Sequence, residues 1–170
     1  VTAQPLPAPP RRWWSIYLND HLTGASAGVR LARRLADSVD ESARPDVRQV
    51  AHEIAEDREA LLAIMAELGV RAARRYAVAG MAAEYIGRLK PNGRLLRRSP
   101  LAPLIECEAM LAGVQGKLQV WQALAAAGPR LVGRTDLETL QSRARRQVTV
   151  LERLHQHLAA DLAGLPRPPK

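Results

Sequence analysis

Four stretches of this chain carry apolar residues at helical spacing, and their links run short, long, short. That order constrains the fold more than any single residue does. The first stripe is Leu18, Leu22, Ala25, Val29, Ala32 and Ala36, widened by Leu31 and Leu35. The second is Val47, Val50, Ile54, Leu61, Met65 and Leu68. The third is Leu101, Leu104, Ile105, Leu111, Val114, Leu118, Trp121 and Leu124, and the fourth is Leu137, Leu140, Ala144, Val148, Leu151, His155, Leu158 and Leu162. Recurrence at three and four residues puts each set on one face of a helix. Each helix is expected to run roughly 24–28 residues, or about 36–42 Å at 1.5 Å per residue.

Punctuation residues mark the ends. Asp46 follows Pro45 as a candidate N-cap, and Gly69 stands where a C′ glycine belongs. Ser99 and Pro100 are expected to open the next helix, and Gly128-Pro129 to close it. Thr135 with Glu138 three residues on reads as a capping box. Short links at 40–45 and near 131 make two antiparallel hairpins. The long link, Val70 to Pro100, has a less regular pattern over 71–89 (Ala72, Tyr76, Ala79, Ala83, Ile86), read as a short helix.

A chain of 170 residues, 47% of them hydrophobic, is large enough for one core and too apolar to stay disordered. Phe is absent and aromatics are 4%, so Leu, Ala, Val and Ile must fill that core. The expected organisation is a Pro-rich tail over 1–12, one helical domain over 13–163 with its long connection at 70–100, and a second Pro-rich tail over 164–170. The N-terminus does not read as a signal peptide, and no apolar run approaches the length of a membrane helix. With Cys107 the only cysteine, no intramolecular disulfide can form. The expectation from these features is a cytoplasmic protein.

The resulting architecture, all-α with two hairpins joined by a long crossover, resembles the ferritin-like four-helix-bundle superfamily. The stretches Leu18-Asn-Asp-His-Leu22 and Gly87-Arg-Leu-Lys90 are similar to an uncharacterised family of actinobacterial helical proteins. That resemblance covers Trp13 to about Leu162, and it implies a fold and no activity. The superfamily's di-iron members use a Glu on one helix and Glu-x-x-His on its hairpin partner, twice over. Here Glu152 and His155 make one such pair, and a turn centred near Leu131 puts Glu108 at their height, with Glu106 as alternate. The first hairpin departs from the pattern. It offers Asp20 or His21 with Glu56, Asp57 or Glu59. The metal alternative, di-iron or di-manganese, therefore rests on Glu108, Glu152, His155, Glu56 and His21, against the reading of no cofactor.

Polar residues interrupt two stripes. Asp57 falls between Ile54 and Leu61, and Gln147 between Ala144 and Leu151. A buried carboxylate needs a partner. The long link is the expected source, through Arg88, Lys90 or Arg94. That link holds eight basic residues and one acid, Glu84, in a chain of formal net charge +8. Arg88, Lys90, Arg94, Arg97 and Arg98 form the candidate surface for nucleic acid, an anionic membrane or an acidic protein. Arg143, Arg145 and Arg146 form a second basic cluster, and Trp13-Trp14 a candidate membrane-interface or packing element. Gly24 with Gly28, and Gly113 with Gly116, are expected to let helices approach closely, with Trp121 or Tyr17 filling the space and a ligand as the less common occupant. No nucleophile, base and acid stand in a recognisable set, and Cys107 sits between two acids that disfavour its thiolate. The function expected is a non-catalytic structural or interaction module. Self-association is open.

Overall fold

The computed structural model describes residues 11–73, 99–128 and 135–164. Four α-helices occur among these residues: α1 (Arg11–Ser38), α2 (Arg44–Glu67), α3 (Ala102–Ala126) and α4 (Leu137–Ala163). No strand occurs among the described residues. The short helix expected within 71–89 falls mainly outside them, and residues 71–73 are not helical.

The helices form a ring in the order α2, α1, α3, α4, with α4 closing on α2. Side-chain pairs set their directions. Arg58 of α2 donates to Ser26 of α1, Cys107 of α3 meets the Leu151 carbonyl of α4, and Gln147 of α4 donates to Glu53 of α2. Along α2 the numbers rise from Glu53 to Glu56 while their α4 partners fall from Gln147 to Arg143, so these helices run antiparallel, and the short links make α1 with α2 and α3 with α4 antiparallel. Two antiparallel steps from α2 through α4 make α3 parallel to α2. The C-terminus of α2 and the N-terminus of α3 thus lie at opposite ends of the bundle. The Arg34–Glu106 ion pair, late in α1 and early in α3, agrees.

Helix ends follow the sequence signals with small displacements. Gly69 adopts φ +66, a left-handed conformation. Its N–H donates to the Ala66 carbonyl and that of Val70 to Met65, the paired bonds of a Schellman stop. At the start of α2, Asp46 is not the cap. Ala43 holds that position without a side-chain bond, and Asp46 sits in the first turn beyond Pro45. There its charge favours the helix N-terminus through the macrodipole. Asp40 instead organises the turn, accepting from the Ala43 N–H and the Ser42 hydroxyl. The cap of α4 is Asp136 and not Thr135, because its carboxylate reaches both the N–H and hydroxyl of Thr139. Those bonds hold its pKa below the ordinary carboxylate value. Ser99 bonds the Leu101 N–H in a turn before α3, which starts two residues later than Pro100. Helix α1 begins at Arg11, inside the stretch expected as tail.

The core takes Leu18, Leu22, Leu35, Val47, Ile54, Leu61, Val114, Trp121, Leu124, Leu140 and Leu151 from the expected stripes. The face of α3 is rotated from the expected one in its first half. Glu106, Cys107 and Met110 are buried, while Leu104, Ile105 and Leu111 are half-buried and Leu101 is exposed. Helix α3 is apolar almost all round, so its periodicity could not select one face.

One polar residue fastens the exit of α2. Asn19, buried on α1, donates to the Arg71 carbonyl at 3.1 Å and accepts from the Ala73 N–H at 2.6 Å. Both bonds span more than fifty residues and fix where the chain leaves the second helix.

Candidate functional site: a buried ion cluster beneath an open groove

Asp57, Lys117 and Gln147 occupy core-facing positions on three helices at one level of the bundle. Lys117 lies on the α3 stripe between Val114 and Trp121, as Asp57 does between Ile54 and Leu61. Asp57 is 1% exposed and Gln147 also 1%. The Lys117 ammonium donates to Asp57 Oδ2 and, at 2.5 Å, to Gln147 Oε1. Gln147 Nε2 then donates to Glu53 Oε2 at 2.9 Å and to Asp57 Oδ2 at 3.2 Å. Arg143 Nε lies 2.9 Å from Asp57 Oδ1. That N–H is not aimed at the oxygen, so the contact is an ion pair without a hydrogen bond. The guanidinium donates to Glu56 instead.

Among the described residues, the cations on Asp57 therefore come from α3 and α4. The long link, expected to supply them, lies outside those residues from 74 to 98. Lys117 reaches across the ring from α3 to α2, and its side chain is 15% exposed. Burial lowers its pKa, the Asp57 charge and hydrogen bond oppose that fall, and Arg143 adds to it. Asp57, Lys117, Arg143 and the Gln147 amide share one layer, in which Asp57 Oδ1 and Arg143 Nε make an ion pair without a hydrogen bond. Such a layer specifies register strongly because any slip strands a charge in the core.

The expected metal ligands separate into different places. Glu108 and His155 are brought together, with Glu108 Oε1 3.1 Å from His155 Nε2, at the height the register argument predicted. Both are partly solvated. Glu152 is exposed one turn away on α4. Glu56 pairs with Arg143 and His52 on the α2 side, Glu59 with Arg58, and Glu106 with Arg34. His21 lies on α1 against Tyr17, ring centroids 4.6 Å apart. Burial lowers its pKa while Asp20 raises it. No group of three or more potential metal ligands converges among the described residues. At the level of Asp57 the core holds the Lys117 ammonium.

Cys107 is fully buried, and its Sγ lies 3.3 Å from the Leu151 carbonyl oxygen. Burial, with Glu108 adding to it, pushes the thiol up to about 12. A thiol of that pKa is no nucleophile at neutral pH. The second basic cluster divides. Arg143 turns inward to the acids while Arg145 and Arg146 are exposed. Trp14 packs edge-on against Tyr17, whereas Trp13 is 62% exposed under the Arg12 guanidinium. Arg88, Lys90, Arg94, Arg97 and Arg98 lie outside the described residues.

A groove of about 920 Å³ runs between α1 and α3 above this cluster. Its walls are mostly apolar, and Asp57 and Lys117 line its floor. The four helix glycines line it too. They were expected to bring helices together, and the structure shows otherwise. A Cβ added at Gly24, Gly113 or Gly116 would meet nothing within 4 Å among the described residues, and one at Gly28 only Ile54 Cγ2 at 3.9 Å. Among the described residues, the glycines leave space open. Each costs a helix interior ~0.5–1 kcal/mol relative to Ala. Replacing Gly24, Gly113 and Gly116 together by alanine is thus expected to raise stability, by about 2 kcal/mol in urea unfolding. A loss of stability would mean that the added methyl groups collide with something filling the groove in solution.

Sequence reasoning missed two participants. Lys117 could have been found, since it is the one lysine on a core stripe. The groove could not, because glycine spacing reads the same whether helices touch at it or part. No family model, curated protein or solved structure that we compared with the chain matches it.

Proposed function

We propose that this chain is a non-catalytic, ferritin-like bundle that works as a binding module, with the α1–α3 groove as its receiving surface. The open groove lined by four glycines is the observation that carries this reading. Large, mostly apolar concavities with a few polar groups are the usual form of ligand sites. The ferritin-like assignment draws support from the helix directions, up, down, down, up. They require a connection running the length of the bundle, the role proposed for residues 70–100. The non-catalytic assignment draws support from the cluster beneath the groove. Its charged groups are engaged with one another, and the Cys107 thiol is protonated.

The di-iron or di-manganese alternative ranks second, because only Glu108 and His155 of its proposed ligands touch. Binding through Arg88, Lys90, Arg94, Arg97 and Arg98 is a separate proposal, resting on charge alone.

Titrating the purified chain with the neutral apolar dye Nile red tests the groove. The wild type is expected to take up about one equivalent with a rise in fluorescence. Gly24→Phe and Gly113→Phe, which project a ring into the groove from opposite walls, are expected to abolish uptake while leaving thermal unfolding intact. A wild type that takes up no dye overturns the reading, as does uptake undiminished in both variants.

A further inference from the structure

We infer that the groove takes a long-chain carboxylate, extended along α1 with its head at Arg30 and its chain toward Trp121. This rests on the groove being a binding surface and adds the chemical class of its occupant. Three observations carry it: length, wall chemistry and the placing of charge.

The groove is lined along α1 from Asp20 to Arg34. From Arg30 to Asp20 is ten steps, about 15 Å at 1.5 Å each, the scale of an extended long hydrocarbon chain. Glycine and alanine make much of the wall, so few side chains project into the groove and an unbranched chain can lie along it. Trp121 closes the far part, the largest fully buried side chain among the described residues.

Charge is unevenly placed. Arg30 and Arg34 lie one turn apart on α1, at the end near the start of α3. Arg34 is engaged by Glu106 at 2.8 Å. Arg30 is exposed and has no ion pair or hydrogen bond among the described residues. Asp20 stands at the opposite end, beside His21. An anionic head is attracted at the Arg30 end and repelled at the other, which gives the ligand one orientation. In between, the Lys117 charge on the floor is engaged by Asp57 and that of Arg58, which also lines the groove, by Glu59, so the chain passes over closed ion pairs. A carboxylate chain satisfies each of these features. An aliphatic cation would meet Arg30 unfavourably, and a neutral alcohol would leave it unused.

Displacement of Nile red from the full chain by dodecanoate, dodecanol and dodecylammonium, each below its aggregation threshold, tests the assignment. Dodecanoate is expected to bind about five-fold more tightly than dodecanol at low salt, and dodecylammonium most weakly. That preference should shrink as salt is added, because Arg30 is at the rim. Arg30→Gln should remove the preference for the carboxylate while leaving dodecanol unchanged. Among decanoate, dodecanoate and tetradecanoate, each two added carbons should tighten binding roughly ten-fold. Equal binding of the three heads, or a preference that survives Arg30→Gln, overturns the carboxylate assignment while dye uptake still upholds the groove. Failure of dye uptake in the wild type overturns both.

Discussion

Asp57→Leu lowers stability by about 3–5 kcal/mol, the range for removing one partner of a buried ion pair. The leucine fits its stripe between Ile54 and Leu61. The loss arises from what is left behind: the Lys117 ammonium without its carboxylate, Gln147 with one acceptor fewer and Arg143 with only Glu56. Lys117→Met in the same chain then recovers most of the loss, since an apolar pair of similar volume replaces two charges. Urea unfolding of both variants, with an unchanged slope against denaturant, measures the cycle. A single variant within about 1 kcal/mol of wild type would show that Asp57 and Lys117 are not paired in the native core. The double variant replaces the charged floor of the groove with an apolar one, so Nile red uptake should persist.

The second large effect belongs to Trp121. It is 1% exposed, and its indole Nε1 has no hydrogen-bond partner among the described residues. Trp121→Ala should cost about 3–5 kcal/mol through lost burial and the cavity left behind. Trp121→Phe should stay within about 1 kcal/mol of wild type. It loses volume but also removes a buried N–H whose missing acceptor costs about 1–3 kcal/mol. Equal losses for the two variants in urea unfolding would mean that the indole N–H has found an acceptor in solution. The pair of substitutions thus separates the packing of this ring from its polar atom.

The register of the second hairpin was legible because a short link leaves little freedom. Glu108 and His155 could be matched in height by counting from the turn. What they do at that height was not legible. A Glu-x-x-His pattern records which residues share a helix face, and here that face is at the solvated edge. Asp57 was legible as a buried charge, because a carboxylate interrupting an apolar stripe must face the core along with its neighbours. Its partner was not. Arginine is dense between Val70 and Pro100, whereas Lys117 is a single cation in an otherwise apolar stretch of helix.

Sequence by itself determined the helices, the pairing of their ends, the stop at Gly69 and the presence of a charge in the core. Those properties depend on spacing within one segment and on links of a few residues, so they are local. Tertiary structure decided which face of α3 turns inward, which α3 and α4 cations meet Asp57, and whether the glycines of α1 and α3 touch or stand apart. Each of these depends on the distance and rotation between helices far apart in the chain. An apolar helix without a dominant face, or a glycine without a side chain, carries no record of what lies opposite it.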